Sequence, residues 1–521
     1  MPNLVFSGCR NKIQGNDKLI KKVLIANRSE IACRIIRSCK AMGIETVAIY
    51  SDADKDALHV KSADYAYYIG ESEAKKSYLD MEKVIHAALE SGCDAVHPGY
   101  GFLSENHEFN RKVRQSGLIF IGPSAESMEL MGSKTSSRTL MIEHGIPVVP
   151  GTFIDKLADK EIAELASEIG YPILIKAAAG GGGKGMRVVR ASNDLLSAIE
   201  SARRESMSAF GSDEVFIEKY VENPRHIEFQ IAADQHGNIV HLFERECSIQ
   251  RRHQKIIEET PSTALTNDLR EKMGEVAKKV CQVANYNNLG TVEFLFDNAG
   301  NFYFLEVNAR IQVEHPITEE TTGIDLVKLQ IDIANDLPLP FEQKDLKQSG
   351  HAIECRIYAE DGDNDFLPSS GKILMLRVPA GEGVRYDSGI ETDSNVTIYY
   401  DPILAKLIVH ADDRESARLK MIEALKSNVI LGVKTSINFM IACLETDEFK
   451  SGETFTSFIE THYENLKNYR QDELLNLALA TANQYLYDTE TSQIIHDYSK
   501  SNPWLEMGTW EICSKYEARS L

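Results

Sequence analysis

Short unbroken apolar runs alternate with stretches of helical period through the first third of the chain. KKVLIAN (Lys21 to Asn27) has the continuous hydrophobicity of a strand covered on both faces, SEIACRIIRSCKAMG repeats its apolar residues with helical spacing, and TVAIYSDAD is a second strand ending in acids. The alternation goes on with a helix near Asp80 to Ser91, a strand at AVHPGYG and another at LIFIGPS. A β-α-β series of this kind predicts a parallel, Rossmann-like sheet with binding loops at its strand ends. The first turn reads NRSE and lacks the glycine triplet of a dinucleotide site, which speaks against a nicotinamide oxidoreductase. Helical character persists past Lys134 to His144, and IPVVPGTF then marks a boundary by its proline and glycine.

The next pattern is strand, glycine loop, strand: YPILIKAAAGGGGKGMRVVR. A Walker loop is excluded, because Lys184 is followed by Gly185, Met186 and strand residues rather than by Ser or Thr and a helix. Backbone stripped of side chains around Gly181, Gly182 and Gly183 can still close over phosphates, with Lys176 adding a point charge. The alternative is a flexible linker, which the flanking strand hydrophobics oppose. EVFIEKYVENPRHIEFQIAAD gives strand, proline break, strand, and puts Glu218 to Val221 at a seam where exposed backbone can clamp a base. ERECSIQRRHQKIIEETPS gathers Arg251, Arg252, His253 and Lys255, either as a phosphate or carbonate site or as salt bridges to Glu244, Glu246, Glu258 and Glu259.

TVEFLFDNAGNFYFLEVNARIQVEHP carries the most chemistry. Two arms rich in aromatic and β-branched residues flank the turn residues DNAG, which predicts an antiparallel hairpin. A loop centred on Ala299 and Gly300 sets Glu293 directly opposite Glu306. Like charges so placed destabilise a ladder unless a cation joins them, and two carboxylates with the Asn308 amide suit Mg²⁺; a bulge leaving one Glu solvated is the competing expectation. Arg310, Gln312 and Glu314 alternate, so an extended segment would show guanidinium, amide and carboxylate on one side, an anion site beside a base; a plain Arg310–Glu314 salt bridge is the alternative. His315 has no second His or Cys at ligand spacing and reads as a structural histidine. HAIECRIYAED is a further strand, with Arg356 alternating with Glu354, and YYDPILAKLIVHA with SARLKMIEALKS continues in α+β fashion.

Composition narrows the class. A chain of 521 residues and 58.3 kDa needs about three or four domains. A net charge of −21 argues against a nucleic-acid surface, and no apolar run reaches membrane-spanning length. Nine cysteines without a CxxC pair fit reduced thiols of the cytoplasm or mitochondrial matrix. The first twenty residues lack the apolar core of a secretory signal; a mitochondrial transit remnant is the alternative.

Together these stretches closely resemble biotin carboxylase, the ATP-grasp component of biotin-dependent carboxylases, from about Lys21 to Tyr463. HPGYGFLSEN, YPILIKAAAGGGGKG, SIQRRHQK, FLEVNARIQVEHPITE and HAIECRIYAED carry the likeness. It implies a fold of α/β and α+β parts: a preATP-grasp Rossmann-like domain over 1–121, a connecting helical segment over 122–148, an ATP-grasp lid over 149–221, the ATP-grasp core and C-terminal biotin carboxylase domain over 222–463, and a helical tail over 464–521. Carried over residue by residue, Lys134, Lys176, Gly181, Gly182, Gly183, Glu218, Lys219, Val221, His226, Gln250 and His253 bind ATP, and Glu293, Glu306 and Asn308 hold Mg²⁺ or Mn²⁺. Lys255, Arg310, Gln312, Val313 and Glu314 hold bicarbonate, and Tyr100 and Arg356 contact biotin. The implied catalytic set is Glu314, Arg310, Lys255 and Arg356. Glu314 takes the bicarbonate proton, the anion attacks the γ-phosphate to give carboxyphosphate, and the phosphate released with CO₂ deprotonates biotin while Arg356 stabilises the enolate.

Two departures stand out. Ser29 replaces glycine in the family's NRGEIA, and the biotinylation motif is missing, so the resemblance implies a biotin carrier domain and carboxyltransferase on another chain or on a missing C-terminal part. NPWLEMGTW resembles α-subunits of the methylcrotonyl-CoA type, and a homodimer or larger complex is expected. Another ATP-grasp ligase is opposed by Arg356 and RIQVEHP. A non-catalytic module is opposed by the presence of Glu293, Glu306 and Glu314.

Overall fold

The structure, a computed structural model, describes residues 19–155, 157–177, 186–252, 254–362 and 364–467, with Leu479, Thr481 and Ala482. Met1–Lys467 form one compact unit; Asn468–Leu521 fall to a second, of which only those last three residues are described. The tail with NPWLEMGTW therefore lies outside the described residues.

The N-terminal β-α-β series forms a parallel sheet. Strands β1 (Lys22–Ile25), β2 (Glu45–Ser51), β3 (Tyr65–Gly70), β4 (Ala95–His97) and β5 (Ile119–Phe120) lie in the order β3-β2-β1-β4-β5. Helix α1 (Ser29–Ala41) follows β1. The period of two explains the unbroken apolar run: Val23 and Ile25 join Ile31, Ile35 and Ile36 of α1 in one core, while Leu24 faces Val47, Val96 and Phe109 in another.

A small antiparallel sheet comes next, with β6 (Gly151–Phe153), β7 (Ile173–Ala177), β8 (Arg187–Val189) and β9 (Val215–Lys219) in the order β6-β9-β7-β8 and its own core of Ile154, Ile173, Ile175 and Ile217. The glycine loop joins β7 to β8; Gly181, Gly182 and Gly183 themselves lie outside the described residues, as does His253.

The scaffold of the site is a single eight-stranded antiparallel sheet. It is built from β10 (Arg225–Ala233), β11 (Ile239–Arg251), β12 (Gln254–Thr260), β13 (Asn288–Phe296), β14 (Phe302–Asn308), β15 (His351–Tyr358), β16 (Val384–Ser388) and β17 (Ile403–Ala411). Their order is β14-β13-β10-β11-β12-β15-β17-β16. Helix α2 (His315–Thr322) starts directly after the RIQVE segment.

The hairpin β13–β14 differs in one detail from the sequence reading. Phe296 pairs with Phe302 and Phe294 with Phe304, so the loop centres on Ala299, and Gly300 takes the positive φ of 83°. A regular ladder would then set Glu293 opposite Leu305. A bulge shifts the register by one, and Glu293 faces Glu306 after all. The segment from Ala309 to Glu314 is not the extended run expected but a bend and a turn.

Candidate active site

A cleft of about 980 Å³ opens between the three sheets, lined by Asn27 to Ile31 and Tyr100 from the first, Lys176 and Glu218 from the second, and β10 to β15 from the third. Every described residue assigned above to ATP, metal, bicarbonate or biotin lines it: Tyr100, Lys134, Lys176, Glu218, Lys219, Val221, His226, Gln250, Lys255, Glu293, Glu306, Asn308, Arg310, Gln312, Val313, Glu314 and Arg356.

Its floor is a buried lattice of charge. The Lys255 ammonium donates to Glu228 at 2.5 Å, Glu293 at 2.9 Å and Glu314 at 2.6 Å. Arg356 donates to Glu258 at 2.5 Å and to the second oxygen of Glu314 at 3.0 Å, so the Glu314 carboxylate is gripped from two sides. Burial alone would push this carboxyl up, but Lys255, Arg356 and Arg245 together hold it well below the ordinary carboxylate range. Glu314 is therefore ionised at any physiological pH. The same balance governs Glu293: burial raises it, and Lys255 and His226, whose Nε2 lies 2.9 Å away, hold it low. Asn308 and Gln312 amides donate to Glu293 at 2.8 and 2.9 Å.

Glu306 is the contrasting member of the pair. Burial with the Glu293 charge opposite raises its pKa, against the opposing charges of Lys134 and His226. A half-buried carboxyl facing an ionised one fits a place for a divalent cation, and hard oxygen ligands suit Mg²⁺. Asn308 Oδ1 accepts from Arg310 at 2.9 Å, so the amide bridges the carboxylate pair and the guanidinium.

The basic cluster around Arg251 divides. Arg251 turns to Glu360 at 2.9 Å and Arg252 to Asp365 at 3.3 Å, so only Lys255 of the described members reaches the floor. The acids expected to neutralise them are taken elsewhere: Glu244 by Arg270, Glu246 by Arg225, Glu258 by Arg356 and Glu259 by Arg414. Arg310 and Glu314 do not pair, since Arg310 lies 3.4 Å from Glu105. His315 is fully buried with Nδ1 2.7 Å from the Gln312 carbonyl, a structural histidine as its isolation implied. Near the seam, Lys176 pairs with Glu218, whereas Lys219 turns its ammonium to the Gly170 and Tyr171 carbonyls at 2.9 and 3.0 Å.

The sequence reading missed Arg245 and Glu228. Arg245 is fully buried, bonds Glu228 at 2.6 Å and reaches the Gln312 carbonyl oxygen of the side chain at 3.3 Å, holding that amide in place. The signal was present: His226, Glu228 and Gln230 alternate in an otherwise apolar strand, which puts three polar groups on one inner face. Among the described residues the buried hydroxyl of Tyr100 has no hydrogen-bond partner. His241, Glu271 and Glu275 also approach one another, outside the cleft lining, with Glu275 already paired to Lys278.

Comparison with known proteins fits this geometry. The chain matches three family descriptions in succession: "Biotin carboxylase, N-terminal domain" over 19–128, "Carbamoyl-phosphate synthase L chain, ATP binding domain" over 133–342 and "Biotin carboxylase C-terminal domain" over 354–461. It is 50% identical over 444 residues to a biotin carboxylase of Halalkalibacterium halodurans, covering 85% of this chain and 98% of that one. It is 46% identical over 496 residues to the mitochondrial methylcrotonoyl-CoA carboxylase subunit alpha of Dictyostelium discoideum, covering 95% of this chain and 71% of that one; of the mouse counterpart it spans 62%. The biotin carboxylase domain dimer of Hydrogenobacter thermophilus 2-oxoglutarate carboxylase, solved with MgADP, ADP and bicarbonate, superposes with a TM-score of 0.82 at 46% identity, over 87% of this chain and 100% of that one. The chain belongs to the biotin carboxylase family: it is an ATP-dependent ligase that carboxylates biotin, the first half-reaction of a biotin-dependent carboxylase.

Proposed function

We propose that the cleft floor binds bicarbonate between Lys255, Arg310, Gln312 and Val313, with Glu314 as the base that takes its proton. The observation that carries this reading is the Glu314 carboxylate held between Lys255 at 2.6 Å and Arg356 at 3.0 Å, on three separate segments that converge at one point. An anion entering here shares those two cations, and as they turn from Glu314 to the substrate the carboxylate becomes a stronger base at the moment it is needed. Lys134, Lys176, Glu218, Lys219, Val221, His226 and Gln250 line the way to the floor and hold ATP, joined by the glycine loop and His253. Glu293 and Glu306 with Asn308 would hold Mg²⁺, or Mn²⁺, and that charge would offset the phosphates. The deprotonated bicarbonate attacks the γ-phosphate, and carboxyphosphate results. Carboxyphosphate then splits to CO₂ and phosphate, the phosphate takes the ureido proton of biotin, and Arg356 steadies the enolate as it adds to CO₂, with the bicyclic ring of biotin against Tyr100.

Measuring ADP release with ATP, Mg²⁺, bicarbonate and free biotin tests this. Glu314→Gln lowers biotin-dependent turnover by roughly 100-fold or more, the usual worth of a positioned base, with ATP binding retained. Unchanged turnover in this variant would remove Glu314 from the role.

The chain further serves, in our reading, as the biotin carboxylase part of an acyl-CoA carboxylase α-subunit of the methylcrotonoyl type, working in the cytoplasm or mitochondrial matrix. The alignment with the Dictyostelium subunit runs over 496 residues, beyond the 444 matched by the bacterial biotin carboxylase. Its partners are then a biotin carrier domain and a carboxyltransferase. The domain division at about 121, 148, 221 and 463 belongs to the same reading. Dimerisation is supported by the dimer of the Hydrogenobacter relative; light scattering giving a monomer mass would overturn it. Among the described residues no helix is long and apolar enough to cross a membrane.

A further inference from the structure

The segment that carries Gln312, Val313 and Glu314 belongs to no strand, yet these groups must keep their places to within a fraction of an ångström for the chemistry above. Side-chain bonds hold it. The Gln312 amide is fixed by Arg245 and Glu293, and its backbone carbonyl lies against His315. The next carbonyl, that of Val313, accepts a hydrogen bond of 2.8 Å from Lys406.

Lys406 is an unusual group to find there. It sits in β17, directly opposite Arg356 of β15 and Asp387 of β16, so all three share one sheet face, the face against which α1 and α2 pack. Its side chain is wholly buried, and its ammonium lies 3.2 Å from Glu30 of α1, itself 1% exposed. Taking an ammonium and a carboxylate out of water is costly, and a neutral donor would tie down one carbonyl at far lower cost. Among the described residues neither Glu30 oxygen makes a hydrogen bond, and its ion-pair contact is the Lys406 ammonium.

We propose that Lys406, held in place by Glu30, is a positioning residue for bicarbonate: by anchoring the Val313 carbonyl it sets Val313 and the Glu314 carboxylate against Lys255 and Arg356. This rests on the reading of Gln312 to Glu314 as the bicarbonate site. It also gives the first helix of the chain a part in the reaction, through a contact that spans α1, β17 and the anion segment.

The test uses the whole chain with free biotin and Mg-ATP, and compares KM for bicarbonate with KM for ATP. Lys406→Met raises the bicarbonate KM by roughly 10-fold or more and leaves the ATP KM within about 2-fold, because the lost contact touches one substrate only. Lys406→Arg, which keeps a donor and a charge, restores part of the loss. Glu30→Gln, isosteric and still able to face the ammonium, raises the bicarbonate KM by about 3-fold. If Lys406→Met alone fails to fold, Glu30→Gln/Lys406→Met decides, since it removes the Glu30 charge together with that of Lys406. A double variant that binds ATP and keeps the wild-type bicarbonate KM overturns the proposal, and so does one that cannot fold, for the pair is then simply part of the core. Glu314→Gln run alongside separates the two readings: if it leaves bicarbonate dependence unchanged, the site assignment has failed, whatever Lys406 does.

Discussion

Ser29, which opens α1, holds a φ of 58°, in the left-handed region where a side chain costs about 1 kcal/mol or more. Its oxygen also fills the space a Cβ at Gly389 would need, 2.0 Å away. Ser29→Gly should therefore stabilise the protein by roughly 0.5–1 kcal/mol, read as a higher melting temperature, because relief of strain exceeds glycine's entropic cost. Gly389→Ala should destabilise it, and only part of that loss should return with Ser29→Gly, since the new methyl also meets the Glu30 nitrogen at 2.6 Å. A second pair of opposed carboxylates titrates apart. Glu246 and Glu259 face each other across β11 and β12. Burial pushes Glu246 up to about 7. Burial acts on Glu259 too, but His351 and Arg414 bring it down to about 2. The raised Glu246 contributes stability that is complete below its unfolded value and lost as pH rises through about 7. The lowered Glu259 contributes stability present above its unfolded value and lost as pH falls towards about 2. Each is worth about 3 kcal/mol at its limit. Melting temperature should peak between these limits, and Glu246→Gln should flatten the alkaline side alone; an unchanged slope there would refute the assignment.

At the level of elements, the hairpin shows what the sequence disclosed and what it did not. Aromatic arms and DNAG were enough to place β13 and β14, but the facing of Glu293 and Glu306 depends on a one-residue bulge that no residue type announces. Alternation in RIQVE named the right side chains for the wrong backbone: they converge through a turn, because tertiary bonds from Arg245, Lys255 and Arg356 decide where they point. The division of the Arg251 cluster was hidden for the same reason, its partners Glu360 and Asp365 being more than a hundred residues away. Parallel strands and the glycine-loop strands were legible because their period is local. The opposed pair on the hairpin carries its own prediction. Glu306→Gln should stabilise the ligand-free protein by about 1 kcal/mol, by removing the charge that faces Glu293, while weakening Mg²⁺-dependent nucleotide binding. Denaturant melts with and without Mg-ATP check both halves; a variant less stable when free of ligand would show that Glu306 is already compensated.

Across the whole molecule, one sheet carries both ends of the chemistry. β13 and β14 at one edge hold Glu293 and Glu306, β15 nearer the other holds Arg356, and β10 to β12 between them supply Glu228, Arg245 and Lys255. On the proposed assignment, nucleotide, anion and biotin sites share hydrogen-bonded strands, although the family descriptions divide them between 342 and 354. Removing a charge from the centre should be felt as global stability. Lys255→Met leaves Glu228, Glu293 and Glu314 without their common partner and should cost about 3–5 kcal/mol, part of it recovered by adding Glu228→Gln. Calorimetry of the single and double variants tests this, and a single variant melting with the wild type would sink it.

The threefold grip of Lys255 has a consequence beyond stability. An ammonium already shared by three carboxylates has little attraction left for chloride, phosphate or any other stray anion of the cell. An anion that enters here must draw Lys255 away from at least one of the three acids that already hold it.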